Sequence, residues 1–189
     1  MKCWRGWANA NNLNRNLPMT PIHHIRPTDS DYSTRLVAPL RLINLIWPLP
    51  EPRDIEKWRL RGTHHFVIYS EAEPLAHAGI FVREVFTARG TIPVGALGGV
   101  CVHPDYRGRG WGRDVAQAAF DFLPQLGVEV SLFQTPVPDF YARLGARLVS
   151  NRFHNGSNPA DPFMDVYKMI LPASFDWPEG DIDINGPGY

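Results

Sequence analysis

Residues 98–113, GGVCVHPDYRGRGWGR, constrain this chain more than any other segment. Strand-forming residues run up to Val102, His103-Pro104-Asp105 turns the chain, and an amphipathic stretch opens at Trp111. Between them lies Arg107-Gly108-Arg109-Gly110-Trp111-Gly112. Glycine lets the backbone bend so that successive N–H groups face one point. A helix that begins directly afterwards adds its own free N–H groups and the positive end of its dipole. Together these make a cradle for a pyrophosphate, to which Arg107, Arg109 and Arg113 add positive charge. Two common phosphate-binding patterns do not fit. A P-loop needs Gly-Lys-Ser/Thr, and Gly108-x-Gly110-x-Gly112 lacks the G-x-G-x-x-G spacing of a dinucleotide-binding turn.

The sequence around this loop predicts a mixed layer fold. Residues 1–20 are rich in Asn, lack periodicity and read as a tail outside the core. Residues 21–189 then form a single domain, in keeping with domains of roughly 100–200 residues. A first short strand is expected between Pro21 and Arg26. Leu36, Leu40, Ile43 and Trp47 have helical spacing, and Pro39 either kinks that helix or starts it. Asp54 caps a second helix. Three strands, 65–69, 75–84 and 91–102, are separated by Glu-Pro and Arg-Gly turns and suit an antiparallel meander. Val115, Ala119 and Phe122 make an apolar helical stripe after the loop. A strand at 128–133, a short helix at 139–144 ended by Gly145, and a last strand at 166–171 complete an α+β pattern. The last fifteen residues, rich in Pro, Gly and Asp, carry no helix or strand signal.

Composition narrows the function. Basic and acidic residues number 19 each, for a net charge of zero, which argues against a protein held to nucleic acid by phosphate contacts. Cys3 and Cys101 have no metal-ligand spacing and no disulfide framework, so a cytoplasmic, reducing location is expected. No stretch approaches the roughly 18 apolar residues of a membrane span. No metal is expected.

Arg107-x-x-Gly110-x-Gly112, after a strand ending V-x-V-H-P and before an amphipathic helix, resembles the acyl-CoA loop of the GNAT superfamily of N-acetyltransferases. Phe140-Tyr141-x-x-Leu144-Gly145 is similar to that family's F-Y-x-x-L-G-F segment, with Ala146 in place of Phe. The resemblance implies a mostly antiparallel twisted sheet, flanked by helices and splayed at a central bulged strand, with Gly98-Gly99 supplying the bulge. It implies acetyl-CoA as acetyl donor, its pantetheine arm on the backbone of Val100 and Val102. A narrower resemblance, in Leu75-Ala76-His77-Ala78-Gly79 and residues 176–182, points to aminoglycoside 2'-N-acetyltransferases, kasugamycin acetyltransferases included. Trp177-Pro178-x-Gly180 and Asn185-Gly186-Pro187 are also similar to the end of rhizobial nodulation N-acyltransferases.

The resemblance assigns Tyr141 as the acid that protonates the leaving thiolate; a phenol with a pKa near 10 suits that task. His77, with a pKa near neutrality, is the candidate base. His103 shapes the turn. Some relatives place a Glu where this chain has Gly98, so a carboxylate base would have to come from elsewhere. Asp181, in the resembled tail, and Asp165 are the candidate carboxylates for a cationic substrate, and Trp177 anchors that tail or contacts the substrate. The expected reaction is acetylation of an amino sugar, an aminoglycoside foremost, with residues 173–189 as a substrate-binding tail. Acylation of a chitooligosaccharide, acetylation of a peptide or protein amine, and non-catalytic acyl-CoA binding are the alternatives. A small cationic amino sugar is the expected partner, with homodimerisation open and neither nucleic acid nor membrane.

Overall fold

The computed structural model describes residues 21–158, 160 and 167–188. The tail assigned to residues 1–20 lies outside the described residues, as does Asp165. The meander forms as expected. Strand β1 (Ile22–Ile25) pairs antiparallel with β2 (His64–Ser70), β2 with β3 (Glu73–Thr87), and β3 with β4 (Gly90–Val102). Between β1 and β2 lie the helices α1 (Tyr32–Ile46) and α2 (Ile55–Leu60). Helix α1 starts well before Pro39 and runs through it. The Asp54 side chain caps α2, accepting from the Lys57 N–H at 3.0 Å. The first hairpin turns at Glu71-Ala72, with Glu71 at φ 55°, and Glu73-Pro74 lies inside β3. The expected Glu-Pro turn is therefore displaced by two residues.

After β4 a single 3₁₀ turn (Pro104–Tyr106) leads through the glycine loop to α3 (Trp111–Asp121). Strand β5 (Ser131–Thr135) follows, parallel to β4, and then the short α4 (Pro138–Ala142). The remaining strands are β6 (Arg147–Leu148), β7 (Phe153–His154), β8 (Tyr167–Leu171) and β9 (Ile182–Asp183). Their order in the sheet is β1-β2-β3-β4-β5-β8-β6, with β9 joined to β3 and β7. The strand at 166–171 is thus not the last one. Ile182 and Ile184 are fully buried and dock the tail on the far end of the sheet.

Side chains alternate across a strand, so each strand feeds two cores. Phe66, Ile68, Ala76, Ala78, Ile80 and Leu97 pack against Val115, Ala119 and Phe120 of α3. On the other face, α1 and α2 cover the near end of the sheet: Ile25, Tyr32, Leu36 and Val67 form one cluster, Leu42, Ile43 and Cys101 another. The tail covers the far end of that face, where Trp177, Ile182 and Ile184 meet Val85, Val94, Leu132 and Ile170.

Candidate active site

Two irregularities of β4 create a cleft. Opposite β3, the strand carries an extra residue: β3 advances from His77 to Gly79 while β4 runs from Cys101 back to Gly98. Gly99 sits in this bulge at φ 63°, a conformation that costs glycine little. On its other edge β4 pairs with β5 only at Gly95–Ser131 and Ala96–Leu132. Beyond that point the two parallel strands splay. The His103 N–H bonds to the Leu75 carbonyl at 2.8 Å. Amide directions alternate along a strand, so the main-chain groups of Val102, one residue earlier, point away from β3 into the gap. Val100 lies two residues before Val102 on this splayed edge.

The cleft in that gap is walled by Val100, Cys101 and Val102 of β4, by Arg107 and Gly112 of the loop, by Phe140 and Tyr141 of α4, and by Ile46 and Trp47 at the end of α1. Among the described residues no Asp or Glu lines it. Gly108 and Gly110 have φ of 81° and 86°. Among the described residues the N–H groups of Gly108 through Arg113 have no acceptor; the first bond after them runs from Asp114 N–H to the Gly110 carbonyl, at 3.1 Å. Six unanswered donors ending at a helix N-terminus fit a pyrophosphate. A Cβ on Gly112 would come within 3.2 Å of Val102, so glycine lets the helix close on the strand. Arg109 lies near the rings of Tyr106 and Trp111, 5.2 and 5.4 Å from their centroids. Arg113 points to Asp114 instead. His103 caps the 3₁₀ turn, its Nδ1 accepting from Asp105 N–H at 3.4 Å.

Tyr141 is held by Phe133 and Phe140, with ring centroids at 4.6 and 4.8 Å. It lines the cleft, and its hydroxyl bonds to no described residue. Burial, with Cys101 adding to it, pushes its pKa above the ordinary phenol value. Burial likewise raises the Cys101 thiol to about 12, so it is not a thiolate nucleophile at neutral pH.

His77 is 2 % exposed, and both of its ring nitrogens are engaged. Nδ1 lies 2.8 Å from the Gly99 carbonyl and Nε2 lies 2.9 Å from His65 Nδ1. The hydrogen bonds continue from His65 Nε2 to the Tyr32 hydroxyl at 2.9 Å. A carbonyl only accepts, so His77 Nδ1–H donates to it, and neutral His77 then accepts from His65. Burial lowers the His77 pKa to about 4 although the Gly99 bond opposes it. Burial, with repulsion from His77, takes His65 well below its ordinary value. The His77 ring therefore holds the bulge rather than facing the cleft. The sequence signal for this pairing was present: His65 and His77 stand on one face of neighbouring strands.

The tail does not bring its acids to the cleft. Asp181 pairs with Arg152 at 2.7 Å in a separate polar groove beside Asn151 and Trp177. Asp176 pairs with Arg89 at 2.6 Å. Trp177 is 7 % exposed, and its indole N–H donates to Asn151 Oδ1 at 2.9 Å. The Asn151 amide in turn donates to the carbonyls of Pro178 and Gly180. Trp177 is an anchor, and the expected contacts of Trp177 and Asp181 with a substrate in this cleft are not formed by this arrangement.

A mixed, mostly antiparallel sheet splayed at a bulged strand and flanked by helices is the architecture that the sequence resemblance implied. The sequence model of the Acetyltransferase (GNAT) family matches residues 33–146, and the chain belongs to that family. Solved structures share the fold. Escherichia coli ElaA is 18% identical with a TM-score of 0.58, over 80% of this chain and 99% of that one. An acyl-CoA N-acyltransferase from Pseudomonas aeruginosa is 18% identical with a TM-score of 0.56, over 79% and 97%. A GCN5-related N-acetyltransferase from Kribbella flavida is 21% identical with a TM-score of 0.54, over 68% of this chain; the matched region spans only 34% of that protein. No curated protein sequence matches the chain. Among the described residues no helix is long and apolar enough to cross a membrane.

Proposed function

We propose that the chain transfers an acetyl group from acetyl-CoA to a primary amine by direct attack, with Tyr141 as general acid. The observation that carries this reading is the Tyr141 hydroxyl, which lines the cleft beside Cys101 and bonds to no described residue. Its raised pKa keeps it protonated at neutral pH, as a proton donor must be. The main-chain groups of Val100 and Val102 hold the pantetheine arm as an added strand would. Arg107 and the N–H groups of Gly108, Arg109, Gly110, Trp111 and Gly112 hold the pyrophosphate. The neutral amine attacks the thioester carbonyl, main-chain N–H groups at the bulge stabilise the oxyanion, and Tyr141 gives its proton to the departing thiolate. With Gly98 in the strand and no acid among the described residues lining the cleft, water takes the proton of the incoming ammonium. His77 acts on this reaction by fixing the Gly99 carbonyl, and so the bulge.

A polycationic amino sugar, aminoglycosides included, draws no support from nearby carboxylates, since Asp181 and Asp176 pair with arginines away from the cleft. Thiol release from acetyl-CoA tests the reading with a panel of amines: kasugamycin, deoxystreptamine aminoglycosides, amino acids and peptide N-termini. Turnover of at least one amine is expected. Tight acetyl-CoA binding without thiol release from any of them would instead mark a binding module.

A further inference from the structure

The face of the sheet that carries α1 and α2 continues past the bulge into a second cluster of chemistry. Gly79, Phe81 and Arg83 of β3 lie opposite Gly98, Ala96 and Val94 of β4. They share one face and lead away from the bulge in two-residue steps of about 7 Å. Phe81 is only 3 % exposed. Two guanidinium groups lie over its ring, Arg61 at 3.7 Å from the centroid and Arg83 at 5.3 Å. Arg61, just past α2, donates from Nε to Thr63 Oγ1 at 3.3 Å and has no carboxylate partner among the described residues. Burial, with repulsion from Arg83, lowers its pKa to about 10. Two like charges drawn partly out of water over one ring repel each other, and an anion beside Arg61 relieves its share of that repulsion.

Oxygen already sits at one edge of this cluster. Arg83 Nη1 donates to the Pro187 carbonyl at 2.6 Å. The chain then passes Gln134 of β5, where a Cβ on Gly188 would meet the side-chain amide at 2.8 Å. The tail thus crosses from β3 to β5, and no carboxylate among the described residues pairs with the guanidinium of Arg61. We infer that Arg61 over Phe81, with Arg83 adding its field, is a subsite for an anionic group of the acceptor whose amine lies at the Gly98–Val100 bulge. This inference rests on the acetyltransferase reading and names its acceptor: a primary amine that carries a carboxylate or phosphate about 7 Å away, two residues along the sheet.

The test is thiol release with matched acceptors: a series of ω-amino acids, the corresponding ω-amino amides, and ω-aminoalkyl phosphates. The acid is expected to exceed its amide in kcat/KM by roughly ten- to hundredfold, the range of a charge-assisted bond. The phosphate arm decides which anion is preferred. Arg61→Gln should erase the preference by raising the acceptor KM, leaving turnover of the amide and the KM for acetyl-CoA unchanged. Arg61→Lys, which keeps the charge, should retain part of it. A melting curve and acetyl-CoA binding confirm that each variant is folded. Equal use of acid and amide by the wild-type protein overturns the subsite while the acetyltransferase reading stands. So does a preference that survives Arg61→Gln. No thiol release with any amine, anionic, neutral or polycationic, overturns both.

Discussion

The splayed edge of β4 and the Arg61–Phe81 cluster beyond the bulge, which the proposed reading makes the donor and acceptor sides, are built from different materials. The donor side is main chain: the bulged edge of β4, the loop that follows it and the first turn of α3 are one continuous stretch, from Gly98 to Arg113. Tyr141 joins it from a helix fewer than thirty residues later. The cluster beyond the bulge, which does not itself line the cleft, joins side chains from segments far apart in the sequence. Arg61 follows α2, Phe81 and Arg83 come from β3, Gln134 from β5, and Pro187 from the tail. Main-chain donors cannot be mutated away without bending the backbone, whereas side chains change freely. The difference also says which mutations should act on which Michaelis constant.

The largest effect expected is on the donor side. Tyr141→Phe keeps the ring packed on Phe133 and Phe140 and removes only the hydroxyl, and with it the proton donor. General acid catalysis supplies about 10²–10⁴-fold, so kcat should fall on that scale with both Michaelis constants nearly unchanged. Steady-state kinetics of the folded variant check this. Full activity would mean that water protonates the thiolate and that the donor side works through its backbone alone.

Beneath the bulge, His77 links the two sides, and its titration should show in stability. Its pKa is lowered from 6.5 to about 4 in the fold. Below pH 6.5 the unfolded chain takes up a proton that the folded chain refuses, so stability falls with pH across the window from about 6.5 to about 4 and is complete above it. A shift of this size is worth about 3 kcal/mol, shared with the coupled His65. Urea melts between pH 7.5 and 4.5 should show the loss, and His77→Gln should flatten the profile. An unchanged slope in that variant would remove His77 from the support of the bulge.

How much of this was legible in the sequence follows the same division. The donor side was readable because glycine spacing, a preceding β-branched run and a following apolar stripe are local signals, and each acts on its immediate neighbours. The meander and α3 were readable for the same reason. The strand β9 was not, because Ile182 and Ile184 become strand-like only by docking against Val85 and Val94, about ninety to a hundred residues earlier. Asp181 looked like a free carboxylate since nothing local announces Arg152. Arg61 carried no signal at all: a lone arginine after a short helix gains meaning only when β3 brings Phe81 beneath it. The Glu-Pro turn misled in the opposite way, through a local signal that strand pairing overrode.

A smaller effect separates the loop from the rest of the donor side. Gly110 has a positive φ and caps α3, and a Cβ at this position would meet no atom within 4 Å, so space is not the obstacle. Gly110→Asp places a negative charge among the donors of the cradle. The KM for acetyl-CoA should rise roughly ten- to hundredfold, the cost of losing a charged hydrogen bond, while kcat at saturation and the acceptor KM hold. A folded variant with unchanged acetyl-CoA KM would mean that the pyrophosphate lies elsewhere.

The smallest effect expected is at Asp181, and it sharpens the comparison by its size. If the tail acids served a cationic acceptor, Asp181→Asn would raise the acceptor KM, since loss of binding common to ground and transition states acts on KM. The structure gives Asp181 another partner, the Arg152 guanidinium at 2.7 Å, with both side chains more than half exposed. Exposed ion pairs of this kind contribute about 0–1 kcal/mol. The tail is held instead by Trp177 on the apolar far end of the sheet and by the Asn151 amide on two carbonyls. Asp181→Asn should therefore change neither Michaelis constant by more than about twofold, and should lower the melting free energy by less than about 1 kcal/mol. Asn151→Ala removes the hydrogen bonds to the Pro178 and Gly180 carbonyls, along with the indole partner of Trp177. It should cost more stability than Asp181→Asn and disturb the acceptor KM, because the same tail carries the Pro187 carbonyl to Arg83. An acceptor KM that responds to Asp181 and not to Asn151 would return the carboxylate to the substrate and reverse the assignment of the two sides.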